Sequence, residues 1–453
     1  MELRSGKWFD GDDEIAVLNR VALASAGLGK RAGDGRPVIG ISNSASELNP
    51  CNLPLKPLAA AVKRGVIQQG GIPVEFPTIS LGEDLMKPTA MLYRNLLSME
   101  VEEMIRANPL DGVVLLANCD KTVPGALLGA FSADIPTVLV TGGARQPAVI
   151  DGSRIGTGTD LWRLWDQRRA GELGDLEWSE VETGLSCGTG ACNTMGTAST
   201  MAILAETLGL MVPGSSTIPA GESRAIAAAT RAGKLAVSCV VQGIRPSTVI
   251  TGEAIENAVA VLCAIGGSTN AIIHLTAMSR RLGIRFGLDD IERISRKVDV
   301  LVDVEPCGSG LVQDFDASGG VVALLSEMKD LLHLETVGIT GEKLGTIIDG
   351  ATITGTAIRT KNFPVYSGGT FGVVRGTLAP DGAVIKRPSA SSRLFKHRGR
   401  ALVFGSYSEM LHRIDDPDLD VNEESVLVLG GCGPVGGPGM PEWGMIPIPK
   451  KLL

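Results

Sequence analysis

Short, continuous apolar runs alternate with helix-like segments in the first third of the chain, and this alternation constrains the fold most strongly. The runs at 37–42, 111–118 and 135–143 carry few polar side chains, as strands do when both faces of their sheet are covered. Segments with helical spacing of apolar residues occur at 54–70 and 88–107. The alternation predicts a parallel sheet with helices on both faces, and such sheets bind ligands at the carboxyl ends of their strands.

The character of the sequence changes near residue 363. The preceding two hundred or so residues are mostly helical in pattern, whereas about four strand candidates follow, separated by Gly, Pro and Asp-Gly turns. A chain of 453 residues also exceeds what one simple core can hold. We therefore expect an α/β fold with a large parallel-sheet domain at 1–362 and a β-barrel-like domain at 363–453, which the few strand candidates would leave incomplete.

The charge balance excludes some classes of partner. A formal net charge of −8 without a long basic run argues against nucleic acid or an anionic membrane as a partner.

Two uncharged stretches, 183–205 and 257–279, are long enough to span a bilayer, but polar turns interrupt both, so we interpret them as buried helices. The N-terminus carries acids where a signal peptide would carry bases and an apolar core. We expect a cytoplasmic protein.

Three of the eight cysteines lie at probable strand ends or at the start of a helix. Cys51 follows the first apolar run, Cys119 ends a later one, and Cys192 lies where a glycine-rich loop meets a helical segment at 192–209. Backbone N–H groups at such positions favour a thiolate. Three converging thiolates would suit an iron–sulfur cluster with one open iron position, or zinc, although Cys187 competes with Cys192 and spacing alone favours buried structural cysteines.

Acidic residues and one lysine lie in similar loops. Glu83, Asp84, Asp120 and Glu442 occur in turn-like segments, where a carboxylate can bind Mg²⁺ or simply form or cap the turn. Lys121 follows Asp120 directly, and a salt bridge between the two is the simplest interpretation. Partial burial would instead favour the neutral amine. A neutral amine can react with CO₂ to give a carbamate, which is a carboxylate ligand.

Other common catalytic patterns are absent from the sequence. It contains no G-x-S-x-G nucleophile motif and no Walker A motif, and "GTGAC" lacks the full dinucleotide-binding pattern. The four histidines are spread along the chain. Nothing here supports a serine hydrolase or a nucleotide-binding enzyme.

Six segments together resemble the dihydroxy-acid and sugar-acid dehydratases: "NPCN", "NCDKTVPG", "GTGACNTMGTAST", "AIGGSTNAIIHL", "GTLAPDGAVIK" and "GGPGMPE". This family includes the branched-chain dihydroxy-acid dehydratase, phosphogluconate dehydratase and the aldonate dehydratases. The resemblance runs from about residue 36 to the C-terminus. It implies a larger α/β domain, a β-barrel-like domain, an active site for a small anionic substrate between them, and a homodimer or homotetramer.

Two sets of residues match the metal ligands of that family. The ligands of its [2Fe–2S] cluster match Cys51, Cys119 and Cys192. The ligands of its Mg²⁺ site match Glu83, Asp120, Lys121 as a carbamylated lysine, and Glu442.

The resemblance also implies the reaction. We expect a hydro-lyase that removes water from a 2,3-dihydroxy acid to give a 2-keto-3-deoxy acid. The segment from Gly82 to Ile105 is closer to the aldonate dehydratases, so a sugar acid such as arabinonate is favoured, with the branched-chain dihydroxy acid as the alternative. The family's serine base lies beyond the motif that contains Glu442, and no segment matches it. The catalytic base is therefore unknown, and we expect a truncated, inactive or very weak cluster-binding fragment as the second alternative.

Overall fold

The structure is a computed structural model that describes residues 2–28, 34–150, 152–433 and 445–453. Its centre is a four-stranded parallel sheet made of β1 (Val38–Asn43), β2 (Ile72–Pro77), β3 (Gly112–Leu116) and β4 (Thr137–Val140). Their order across the sheet is β2-β1-β3-β4. The three apolar runs therefore form parallel strands, and the predicted α/β class is confirmed.

Helices occupy most of the chain between the sheet and residue 350. In chain order, the α-helices are α1 (Gly6–Phe9), α2 (Glu14–Leu23), α3 (Leu55–Gln68), α4 (Arg94–Ala107), α5 (Thr122–Ala133), α6 (Thr159–Ala170), α7 (Asp175–Leu185), α8 (Thr197–Thr207), α9 (Ser223–Gln242), α10 (Pro246–Val249), α11 (Gly252–Ala264), α12 (Asn270–Arg281), α13 (Leu288–Ser295), α14 (Val312–Ala317), α15 (Gly320–Glu327), α16 (Leu344–Ile348) and α17 (Tyr407–Arg413). A short hairpin of β5 (Ala148–Ile150) and β6 (Ser153–Ile155) precedes α6.

Helices cover both faces of the sheet, because alternate side chains of a strand point to opposite faces. In β3, Leu115 packs into the core that includes α4 and α5, whereas Val114 packs into the core of α3 and α9. The helices α3 and α9 approach closely, since a Cβ on Gly65 would lie 1.9 Å from the backbone oxygen of Thr230. The apolar character of the strands thus follows from burial on both sides.

Two helices begin later than the sequence predicts. The segment predicted as a helix from Pro88 starts with a 3₁₀ turn at Ala90–Tyr93, which the extended Thr89 caps when its side chain accepts from the N–H of Met91, and α4 follows from Arg94. The helix predicted at 192–209 begins at Thr197. Cys192 therefore lies in the preceding loop, and its predicted place at a helix N-terminus is wrong.

The C-terminal region contains the expected strands together with one helix that was not predicted. Two pairs form, β7 (Phe371–Gly376) with β8 (Ala379–Lys386) in antiparallel order and β9 (Ala401–Phe404) with β10 (Val426–Leu429) in parallel order. The all-β prediction is wrong at α17, whose N-terminus is capped when the Ser406 side chain accepts from the N–H of Glu409.

No helix in the described ranges is long and apolar enough to cross a membrane. Polar turns interrupt both uncharged stretches, as predicted, and α8, α11 and α12 within them are largely buried. The prediction of a buried helix is wrong for α7, which ends in the first stretch and buries only Val181.

Candidate active site

The candidate site lies at the carboxyl edge of the sheet, where β1 and β3 are neighbours. The chain adds β2 on one side of β1 and then adds β3 and β4 on the other. This reversal is a topological switch point, where the loops after adjacent strands separate and leave a crevice. The loop after β1 carries Cys51, the loop after β3 carries Cys119, and the loop after β4 carries Arg145.

A buried amide connects these three loops. Asn118 Nδ2 donates to Cys51 O at 2.7 Å and to Gly143 O at 2.9 Å. Its Oδ1 accepts from the N–H of Gly142 at 2.9 Å and of Gly143 at 3.1 Å. One side chain therefore satisfies backbone groups that would otherwise be buried without partners, and it fixes the loops relative to one another.

A second amide orients the Cys119 loop. Asn52 Oδ1 accepts from the N–H groups of Asn118 at 3.1 Å and Cys119 at 3.0 Å, and its Nδ2 donates to Ser44 O at 3.1 Å. The sequence analysis missed both asparagines as functional residues. The available signal was their position, since each is directly adjacent to a proposed cluster cysteine.

The structure brings the three predicted cysteines together. A hydrogen bond with Cys51, and then burial, raise the pKa of the Cys119 thiol well above its usual value. Burial of its sulfur, followed by the charge of Cys51, raises the pKa of Cys192 to about 12. The Cys119 and Cys192 thiols are consequently protonated without metal. Cys187, the predicted competitor, instead donates to Gln146 O at 3.0 Å.

Lys121 is fully buried, at 0% exposure, beside two of the predicted acids. Its Nζ lies 2.9 Å from Glu83 Oε1 and 2.6 Å from Asp120 Oδ2. The salt bridge with Asp120 is thus present, and Glu83 shares the ammonium. Asp120 also accepts through Oδ1 from Cys119 Sγ at 3.4 Å, so this one carboxylate contacts both the lysine and a thiol.

An arginine–histidine pair lies buried near the lysine. Arg94 Nη1 donates to His274 Nδ1 at 2.8 Å, and His274 is fully buried. Burial first, and then the charges of Arg94 and Lys121, hold the pKa of His274 well below its usual value. His274 is therefore neutral, and with Nδ1 accepting, its proton is on Nε2.

The donor types fit two different metals. Three thiols offer soft ligands for iron or zinc, and the acids around Lys121 offer hard oxygen ligands for a divalent ion such as Mg²⁺. Within the described ranges, no three His, Cys, Asp or Glu side chains are already arranged to hold a metal ion. Metal binding would therefore require thiol deprotonation and local adjustment. The fourth predicted Mg²⁺ ligand, Glu442, lies outside the described residues.

Comparison with known proteins matches nearly the whole chain to one family. Residues 36–347 match the dihydroxy-acid/6-phosphogluconate dehydratase N-terminal family, and residues 356–453 match the corresponding C-terminal family.

Curated relatives carry several substrate names. The 6-deoxy-6-sulfo-D-gluconate dehydratase of Pseudomonas putida is 44% identical, over 100% of this chain and 79% of its own length. The L-arabinonate dehydratase of Rhizobium leguminosarum bv. trifolii is 42% identical, over 100% and 79%. The dihydroxy-acid dehydratase of Ignicoccus hospitalis is 37% identical, over 90% and 74%. The chain belongs to the dihydroxy-acid/6-phosphogluconate dehydratase family, whose members are hydro-lyases.

Proposed function

We propose that the chain acts on a 2,3-dihydroxy sugar acid, such as arabinonate or another aldonate, and yields the 2-keto-3-deoxy acid. The observation that carries the proposal is the buried Lys121 between Glu83 and Asp120, with the Cys119 thiol against the same Asp120. The relatives named for sugar acids are 44% and 42% identical over the whole chain. The one named for the branched-chain type of acid is 37% identical over 90% of it.

In this proposal the two donor sets hold two cofactors. The [2Fe–2S] cluster would be held by Cys51, Cys119 and Cys192, and Mg²⁺ would be held by Glu83, Asp120, carbamylated Lys121 and Glu442. When bound, the cluster supplies a Lewis acid for the C3 hydroxyl, and Mg²⁺ stabilises charge on the carboxylate and the C2 oxygen. Asp120 sets the spacing between the two sites because it contacts Lys121 and Cys119 at once.

Lys121 has to change its charge before it can bind Mg²⁺. The ammonium first releases one proton to water. The lone pair of the neutral Nζ then forms a bond to the carbon of CO₂, a C=O bonding pair moves to oxygen, and Nζ releases a second proton to water. The product is a carbamate, so a cation between Glu83 and Asp120 becomes a third carboxylate. Three converging carboxylates repel one another without a metal and bind a hard divalent cation well.

Two other candidate functions remain testable. The first is a dihydroxy-acid dehydratase of branched-chain amino-acid biosynthesis, since relatives with that kind of name also match. The second is a cluster-binding protein without turnover, for which the three neighbouring cysteines would be sufficient.

The test uses anaerobically purified protein reconstituted with iron, sulfide and Mg²⁺. Visible and electron paramagnetic resonance spectra are recorded after addition of arabinonate, 6-deoxy-6-sulfogluconate or 2,3-dihydroxyisovalerate, and 2-keto acid is assayed in parallel. We expect a sugar acid to perturb the cluster spectrum and dihydroxyisovalerate not to do so. The reverse pattern would favour the branched-chain substrate. A cluster without turnover would support the second candidate, and the absence of any cluster would contradict the cysteine assignment.

A further inference from the structure

Arg145 is a cation held directly against the Cys51 thiol. Its Nη2 lies 3.8 Å from Cys51 Sγ, a distance suited to an N–H···S hydrogen bond, and its Nε donates to Gly190 O at 3.2 Å. Among the described residues, these two contacts are the hydrogen bonds that the Arg145 side chain makes. The guanidinium is therefore fixed between the loop of Cys51 and the loop of Cys192.

The backbone places Arg145 in this position. Its N–H donates to Ala191 O at 2.8 Å, and the N–H of Gly190 donates to Pro50 O at 3.2 Å. Gly190 has a φ of +134°, and a Cβ there would lie 2.6 Å from Arg145 N. Only glycine permits this approach of the two loops. The guanidinium position is thus built into the fold.

The guanidinium lies beside the proposed cluster ligands. It contacts Cys51 Sγ, and its Nε is held by a backbone oxygen of the loop that carries Cys192. A positive charge at this place lowers the electrostatic cost of holding thiolates in a partly buried pocket.

We propose that Arg145 is a positioning residue for the iron–sulfur cluster, which donates an N–H···S hydrogen bond to the Cys51 thiolate, raises the reduction potential of the cluster and slows the loss of iron. The inference rests on the proposed function, since it requires the cluster. A hydrogen bond to a ligand sulfur and a nearby positive charge both stabilise the reduced, more negative cluster relative to the oxidised one. They also withdraw electron density from the iron, which strengthens a Lewis acid.

The test compares Arg145→Gln and Arg145→Lys with the wild type. Arg154→Gln is the matched control, because Arg154 lies on the nearby β6 and pairs with Asp314 at the surface. Midpoint potentials are measured by dithionite titration with electron paramagnetic resonance, and iron release to a chelator is timed. We expect Arg145→Gln to lower the potential and to release iron about 10- to 100-fold faster. Arg145→Lys keeps the positive charge but loses the planar guanidinium, so its midpoint potential and its rate of iron release should lie between those of the wild type and Arg145→Gln. Arg154→Gln should match the wild type in both measurements.

The outcomes separate this inference from the proposed function. A wild-type protein that never binds a cluster contradicts the proposed function itself. A wild-type cluster whose potential and iron release are unchanged in Arg145→Gln overturns only the role of Arg145. If Arg145→Gln fails to fold, Arg145→Lys decides, because a wild-type potential in that variant also overturns the hydrogen bond to Cys51.

Discussion

At the scale of single residues, burial of the Lys121 ammonium is offset by the two carboxylates beside it. Replacing it in Lys121→Met would leave Glu83 and Asp120 facing each other in a buried site. We expect the metal-free protein to lose on the order of 3–5 kcal/mol of its free energy of unfolding, the typical cost of breaking a buried ion pair. Urea unfolding measures the loss.

The control for this variant is Lys56→Met, since Lys56 pairs with Glu47 at the exposed surface. It should change the free energy of unfolding by less than about 1 kcal/mol. Equal stability of Lys121→Met and the wild type would show that Lys121 does not neutralise the two acids.

The cysteines offer a second comparison between single residues. Cys192→Ala should abolish most iron binding, because an alanine supplies no third ligand, whereas Cys187→Ala should bind iron like the wild type. Iron and sulfide per chain after anaerobic reconstitution measure the difference. Loss of the cluster in Cys187→Ala with retention in Cys192→Ala would reverse the assignment.

The sequence indicates the candidate cysteines more clearly than the asparagines that hold their loops in place. Cys51 and Cys119 stand out because they follow strands whose apolar character is visible from the sequence. Asn52 and Asn118 read as ordinary loop residues, because their function depends on backbone groups from other loops that only the folded sheet brings together. Partners that are distant in the chain explain why these two asparagines escaped prediction.

At the scale of elements, Asn118 joins the loops that follow β1, β3 and β4. Asn118→Ala would remove four hydrogen bonds, and buried groups left without partners cost roughly 1–3 kcal/mol each. We expect a loss of several kcal/mol in urea unfolding together with weaker cluster binding. The exposed Asn95 of α4 supplies a control, because Asn95→Ala should alter neither property. Normal cluster binding by Asn118→Ala would contradict the linking role.

The contact between α4 and α12 predicts a dependence of stability on pH. His274 has a folded-state pKa well below its usual 6.5, so the unfolded chain takes up a proton that the folded chain does not. The contribution of neutral His274 to the free energy of unfolding is therefore complete above about pH 6.5. Below that pH the free energy of unfolding falls by up to about 1.4 kcal/mol per pH unit. His274→Gln keeps an acceptor for Arg94 and should flatten this loss between pH 7 and 5.

Urea unfolding at several pH values measures the effect, with His412→Gln as the control, because His412 lies exposed on α17. That variant should follow the wild-type pH dependence. An unchanged slope in His274→Gln would show that another group is responsible.

Periodicity predicts the strands and helix bodies, but not where helices start. The segment predicted as a helix from Pro88 starts at Ala90 because the side chain of Thr89 caps it. The segment predicted from Cys192 becomes helical only at Thr197, and the N–H of Met195 before it donates to the distant backbone oxygen of Glu305. Capping and tertiary hydrogen bonds of this kind are not visible in the local periodicity.

At the scale of the whole molecule, one sheet edge organises both donor sets. The strand order β2-β1-β3-β4 places the ends of β1 and β3 side by side, so residues near 51 and near 119 meet although they are far apart in the chain. The loop that carries Cys192 joins them through the parallel bridge between Ala144 and Ala191. Among the described residues, Arg169 of α6 pairs with Asp415 of the C-terminal region at 2.5 Å.

The central claim is that three thiolates hold a two-iron cluster with one open position. Mössbauer spectroscopy of protein reconstituted anaerobically with ⁵⁷Fe tests it most directly, before and after addition of arabinonate. Three cysteine ligands make the two irons inequivalent, so we predict two distinct iron signals, of which one shifts when the sugar acid binds. A single iron signal that does not change when arabinonate is added, or the absence of bound iron, would contradict the account.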